Sequence, residues 1–336
     1  VAKTLTLDSI DFAEYERDTE AQAKVKAASV YAEEVVQHFA LDDDKPVMPT
    51  VISKLKGKIE FRPGEVTAWA GYNGHRKSMY LGQVALDLTR QRQKILIASM
   101  EMQPHRTLAR MSRQASAVRW PSPKWVRGFS DWTDDKLWLF DHMGRITPSQ
   151  MIAVCRYFKD KLGGQHVVID SLMMVCASEE HLDEQKQFVT DICRVAQETD
   201  LHVHVVAHCR KPQNGDEPPP SKYDIRGTAA ISDQVGNVVT VWANKQKVKA
   251  LEKDPHDSEW LAKPDAYVTV EKQRNGEWEG RAQFWFHPDS LRFCDDRVSE
   301  VMPMLNTGDF KRSEGMEYHT GEVETEPDPD SRGCAR

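Results

Sequence analysis

Gly71-Tyr72-Asn73-Gly74-His75-Arg76-Lys77-Ser78 follows the apolar run Val66–Ala70 and opens residues 78–88, whose Leu81, Val84, Ala85 and Leu88 share one helical face. A loop that leaves a strand and enters a helix turns several backbone N–H groups toward one point, where a phosphate can sit. Seven of the eight positions fit G-x-x-x-x-G-K-[ST], in which the lysine reaches the β- and γ-phosphates and the hydroxyl meets Mg²⁺. The sixth position departs, with Arg76 in place of glycine. If the backbone there needs positive φ, a side chain costs stability; its charge can instead add to phosphate binding. The plain alternative is a strand–turn–helix with a basic tip, and the residues downstream weigh against it.

Further strand-like runs are Ile95–Ser99, Leu137–Phe140 and residues 167–169, 203–207 and 238–242. Between them lie helical stretches. Thr147-Pro148 reads as an N-cap followed by proline at the first helical position, with Gly163 closing that helix. Residues 187–198 carry Phe188, Ile192 and Val195 on one face. Such alternation predicts an α/β fold with a mostly parallel sheet. Residues 267–271 and 281–286 alternate around Asn275-Gly276 and predict a terminal β-hairpin. Residues 1–45 read as a mostly helical N-terminal arm, ended before Pro46. Residues 46–298 form the core, and 299–336 an acidic tail with 4 basic and 9 acidic side chains that reads as disordered.

Three strand ends carry chemistry. Glu101 follows Ile95–Ser99, where a carboxylate can orient and deprotonate an attacking water. Asp170 ends His166-Val167-Val168-Ile169, where it can hold Mg²⁺ directly or through water. His208 follows Val203-His204-Val205-Val206-Ala207. His202, His204 and His208 share one parity, which admits a metal site, but no acid or cysteine completes it on that face. His208 reads better as a polar group facing a terminal phosphate, with His202 and His204 in the core or at an edge. The polar stretch 211–226, stiffened by Pro218-Pro219-Pro220, offers Lys211, Lys222 and Arg226 to a phosphate backbone; a solvated loop is the plainer reading. Lys272-Gln273-Arg274-Asn275-Gly276 is either a charged turn or a source of cations for a neighbour's γ-phosphate.

Composition sets the outer limits. The 336 residues allow one large domain or two, at ~100–200 residues each. Apolar residues make up 40% and charged residues 29%, enough for a sizeable core. The net charge of −7 excludes a protein coated with basic charge but not a locally lined nucleic-acid site. No apolar stretch of ~18 residues is present, so no membrane partner is expected, and the six cysteines form no C-x-x-C pair. Reduced thiols in a cytoplasmic protein are the expectation.

The order of residues 71–78, Ser99-Met100-Glu101-Met102, Val168-Ile169-Asp170, His208, Asp224-Ile225-Arg226-Gly227 and Lys272-Gln273-Arg274-Asn275-Gly276 resembles the RecA-type motor domain of DnaB-like replicative helicases, with the closest look to the helicase part of bacteriophage primase-helicases. The resemblance covers residues 46–298. It implies a RecA-like P-loop NTPase and an ATP-dependent DNA helicase, moving 5′→3′ as a ring, usually a hexamer, on single-stranded DNA. ATP and Mg²⁺ would lie between subunits. Lys77 and Ser78 would hold triphosphate and metal, Glu101 would be the catalytic base, Asp170 would support Mg²⁺ and His208 would sense the γ-phosphate. Lys272 and Arg274 would act in trans, residues around Lys211, Lys222 and Arg226 would face DNA, and the arm would pack on the neighbour. A phage or prophage origin follows, with host cytoplasm as location and a separate primase or loader as partner. After Arg226-Gly227 the spacing of Ile231-Ser232-Asp233-Gln234-Val235-Gly236-Asn237 departs from the family's pattern. A recombination ATPase of the RecA/RadA kind, and a hydrolysis-poor DNA-binding accessory subunit gated by ATP, are the alternatives.

Overall fold

A computed structural model describes residues 3–5, 48–49, 53–176, 182–210, 218–227, 229–298 and 300–305. Its strands are β1 (Lys3–Leu5), β2 (Met48–Pro49), β3 (Glu60–Phe61), β4 (Val66–Ala70), β5 (Ile95–Ser99), β6 (Leu137–Phe140), β7 (His166–Asp170), β8 (His202–Val206), β9 (Asn237–Ala243), β10 (Ala266–Gln273), β11 (Gly280–His287) and β12 (Arg292–Cys294). Its helices are α1 (Lys77–Arg90), α2 (Pro104–Ser116), α3 (Pro123–Thr133), α4 (Pro148–Leu162), α5 (Leu172–Val175), α6 (Leu182–Thr199), α7 (Ala230–Gln234), α8 (Lys245–Lys253) and α9 (Ser258–Ala262).

The main sheet runs β1-β6-β5-β7-β8-β4-β9-β10-β11-β12. Pairing is parallel from β1 through β9 and antiparallel beyond. The expected mostly parallel sheet and terminal hairpin are both present. The five middle strands are apolar on both faces because both are covered. On one face Ala68, Ala98, Ile169 and Val205 share a core with Met151, Val154 and Phe158 of α4 and Phe188, Ile192 and Val195 of α6. On the other, the Trp69 ring lies 5.8 Å from that of Tyr80 on α1.

Several local forecasts hold. Thr147 caps α4 with a reciprocal bond to Gln150, and Gly163 closes it at φ 67°. Residues Lys3–Leu5 correct the forecast arm: they form a strand paired with Trp138–Phe140 of the chain's own sheet, since an open edge satisfies backbone groups that a three-residue helix cannot. The rest of the arm, residues 6–45, and the tail beyond Leu305 lie outside the described residues. Residues 300–305, assigned to the tail from composition, instead pack on the domain. Met304 N–H donates to Ala115 O at 2.8 Å and Arg292 Nη1 to Met302 O at 2.6 Å.

His166, His202 and His204 are core residues. His202 shares bonds with Arg62 O (2.7 Å) and Thr67 Oγ1 (2.9 Å), and Trp69 Nε1 donates to His204 Nδ1 at 3.1 Å. Among the described residues no group of three His, Cys, Asp or Glu side chains is arranged to hold a metal. Burial drives all three imidazoles toward the neutral form, His202 to a pKa of about 4 and the other two well below the usual value. Below pH ~6.5 the unfolded chain binds protons that the folded core refuses, so stability falls until the folded pKa is reached. Unfolding free energy is therefore expected to drop by about 3 kcal/mol from His202 alone between pH 6.5 and 4. Urea titrations across that range check this, and His202→Gln should reduce the slope.

Candidate active site

The C-terminal ends of four parallel strands converge here. The loop of residues 71–78 leaves β4, Glu101 follows β5, Asp170 ends β7 and His208 lies two residues past β8. Register sets two of these side by side, since Ser99 pairs with Asp170 and Ala98 with Ile169.

Gly71 is required by space: a Cβ there would stand 2.3 Å from Val241 O. The Lys77 side chain curls into the loop, where Nζ donates to Gly71 O (2.8 Å) and Tyr72 O (2.9 Å) and meets His208 Nδ1 at 3.2 Å. Burial lowers the Lys77 pKa to about 8, opposed by Asp170. Burial, then the Lys77 charge, lowers His208 to about 4. His208 is thus neutral at pH 7 and accepts from Lys77 at Nδ1, which leaves its proton on Nε2, free to be donated.

Ser78 Oγ donates to Asp170 Oδ2 at 2.6 Å. Burial raises the Asp170 pKa, and the Ser78 hydrogen bond works against that rise. Glu101 is exposed, and Ser171 Oγ donates to its Oε1 at 2.9 Å. A hydroxyl and a carboxylate in contact are a hard oxygen pair of the kind Mg²⁺ takes, so Ser78 and Asp170 fit that ion. Ser171, buried and steering the Glu101 carboxylate, was not singled out from sequence; its place directly after Asp170 was the available signal.

The remaining loop residues divide. Asn73 and Gly74 are exposed, and Lys245 at the start of α8 reaches over them to donate to Asn73 O at 3.3 Å. His75 turns inward: its Nδ1 accepts from Ala243 N–H at 3.1 Å and its ring packs on Tyr72 at 5.2 Å. His75 and Tyr72 therefore tie the loop to β9 and the core rather than offering side chains to phosphate.

Arg76 answers the question its position raised. Its φ is 66°, the left-handed region that favours glycine. Its guanidinium leaves the loop and sits over Phe286 of β11, Cζ 3.7 Å from the ring centre, within the field of Asp265. Arg76→Gly relieves ~1 kcal/mol of backbone strain and forfeits a cation–π contact of ~0.5–2 kcal/mol. Thermal stability is expected to change by less than about 1 kcal/mol, and affinity for ATP by less than about twofold. A tenfold loss of affinity in a nucleotide titration would show that the charge reaches phosphate.

The cations of the hairpin lie elsewhere. Lys272 pairs with Val238 and Gln273 with Asn237, which itself pairs with Thr67 at the start of β4. They therefore sit at the end of the sheet opposite the loop. Lys272 Nζ donates to the carbonyls of Ser232, Asp233 and Val235 at 2.7, 2.9 and 3.0 Å. Arg274 is exposed, and its Nη2 reaches Asp233 O (3.3 Å) and Gln234 O (3.1 Å). Both thus fold back onto the C-terminal end of α7, where carbonyls lack helical partners. Of the basic residues beyond β8, Lys211 lies outside the described residues. Lys222 Nζ reaches Glu271 O at 3.4 Å, and Arg226 N–H donates to His208 O at 2.7 Å.

A loop that holds its own lysine, a serine on a strand-end aspartate, and an exposed carboxylate beside them define a P-loop ATPase fold. The sequence profile of the AAA domain family matches residues 31–214, more than half of the chain, and the chain belongs to that family. Two solved structures share the fold. The ATPase domain of a phage helicase aligns with a TM-score of 0.66 at 15% identity, over 81% of this chain and all of that one. A DnaB-like replicative helicase, described with its interactions with primase, aligns at 0.64 and 15% identity, over 81% of this chain and 67% of that one. The resemblance read from the motifs is met in the fold. No helix among the described residues is long and apolar enough to cross a membrane.

Proposed function

We propose that the chain is the ATP-driven motor of a replicative DNA helicase, in which residues 46–298 form a ring and translocate on single-stranded DNA. The observation that carries this is the joint placement of Lys77, Ser78, Glu101, Asp170 and His208 at neighbouring strand ends. Residues 71–78 would cradle the triphosphate, with Lys77 exchanging its carbonyl partners for phosphate oxygens. Ser78 and Asp170 would hold Mg²⁺, which neutralises phosphate charge when bound. Glu101, exposed and oriented by Ser171, takes a proton from the attacking water as the β–γ bridge breaks. His208 donates from Nε2 to the terminal phosphate. Lys222 and Arg226, with Lys211, meet the DNA backbone. Lys272 and Arg274, at the far end of the sheet, serve the next subunit of a hexamer, and a separate primase or loader completes the assembly in a phage-infected or prophage-bearing cell.

Glu101→Gln tests the chemistry. It is expected to bind ATP as the wild type does and to lose turnover by at least about 10²-fold, the usual worth of a positioned base. A variant that cannot bind ATP, or that turns over normally, assigns the carboxylate another role.

A further inference from the structure

Tyr223 leaves 82% of its surface open to solvent. It stands on a stiff mount, the 3-10 turn Lys222–Asp224. Ser221 N–H donates to Asp224 Oδ2 at 2.7 Å, Ser221 Oγ bonds the same oxygen at 2.9 Å, and Tyr223 N–H donates to Ser221 Oγ at 3.3 Å. The turn is also fastened to the strand end below it. Arg210 N–H donates to Asp224 O at 2.8 Å, Arg226 N–H to His208 O at 2.7 Å, and Cys209 bridges Ile225. A side chain on such a mount loses little freedom when something binds it. Cations flank the ring: Lys222 Nζ is 5.6 Å from its centre, and Arg226 follows three residues later. An aromatic face among cations is the composition that grips single-stranded nucleic acid, the charges following phosphates and the ring taking a base.

We propose that Tyr223 is a stacking platform for a base of single-stranded DNA, beside phosphate contacts made by Lys222 and Arg226. This rests on the reading of the chain as a DNA motor and adds a base contact to it. Stacking needs the ring and not the hydroxyl, and it is blind to salt because no phosphate is neutralised. Lys222 and Tyr223 should therefore separate cleanly by experiment.

The test is fluorescence anisotropy of the full chain with a labelled oligo-dT and with an abasic strand of equal length, each at several salt concentrations. Tyr223→Ala is expected to weaken oligo-dT binding about tenfold, since stacking is worth ~1–3 kcal/mol per base, with the salt slope unchanged. Tyr223→Phe and Tyr223→Trp are expected to bind within about twofold of wild type. On the abasic strand Tyr223→Ala and wild type should coincide. Lys222→Ala should weaken both strands alike and flatten the log–log slope by about 0.7. Oligo-dT binding unchanged in Tyr223→Ala, an equal loss on the abasic strand, or failure of Tyr223→Phe to restore binding each overturns the stacking role alone. A wild-type chain that binds neither strand overturns the motor reading with it.

Discussion

Lys77→Ala is expected to abolish ATP turnover, by at least about 10³-fold, and to weaken nucleotide binding sharply. The ammonium makes bonds of 2.8 and 2.9 Å to Gly71 O and Tyr72 O and contacts His208 at 3.2 Å, so it already occupies the centre of the loop. Charge-assisted bonds of this kind contribute about 1.5–3 kcal/mol each, and two or three of them account for the expected loss. The fold should survive, because the loop is also held by His75 Nδ1 on Ala243 N–H and by the Tyr72 ring in the core. Circular dichroism should match wild type while nucleotide titration and ATPase assays fail. Unchanged turnover in a folded Lys77→Ala protein would remove the loop from the chemistry.

The second large effect concerns Arg274. Its register places it near the start of β4, whereas the phosphate loop leaves the end of that strand, so it cannot serve its own loop without refolding. Its present bonds to Asp233 O and Gln234 O are 3.1–3.3 Å long on an exposed side chain, so releasing them costs little. A guanidinium supplied in trans to a developing phosphoryl charge is worth about 10³–10⁵ in rate. Arg274→Ala is therefore expected to assemble, bind ATP and hydrolyse it poorly. Rings mixed from Arg274→Ala and Lys77→Ala subunits should regain activity at interfaces that combine one subunit's intact loop with the other's intact arginine. No recovery in rings shown by mass to be mixed would remove the in-trans role.

The central sheet was legible because its strands are buried on both faces and read as unbroken apolar runs. Val66–Ala70, Ile95–Ser99 and Leu137–Phe140 match to the residue. The helix opened by Thr147-Pro148 was legible because its caps are chemical signals. The same proline signal opens α2 at Pro104 and α3 at Pro123, the latter capped by Ser122, and both escape a reading by periodicity because polar residues interrupt their apolar faces. The short strand β12 escapes it too, because three residues carry too little periodicity.

Within the site, the loop, Glu101, Asp170 and His208 were legible because each follows a strand, and strand ends in a parallel sheet meet at one edge. Side-chain direction was not. Nothing in the order of residues shows that His75 turns inward onto Ala243 or that Arg76 leaves the loop for Phe286, because Phe286 stands 210 positions away in sequence and arrives through a tertiary contact. The bulge between Val270 and Lys272, which alters the pairing just before the hairpin's cations, was equally hidden.

ATP turnover by the purified chain, measured with and without oligo-dT and with its mass determined in the same solution, tests the central claim most directly. The account predicts Mg²⁺-dependent hydrolysis by an oligomer, stimulated by the single strand. A folded chain that hydrolyses no ATP in either condition would contradict it.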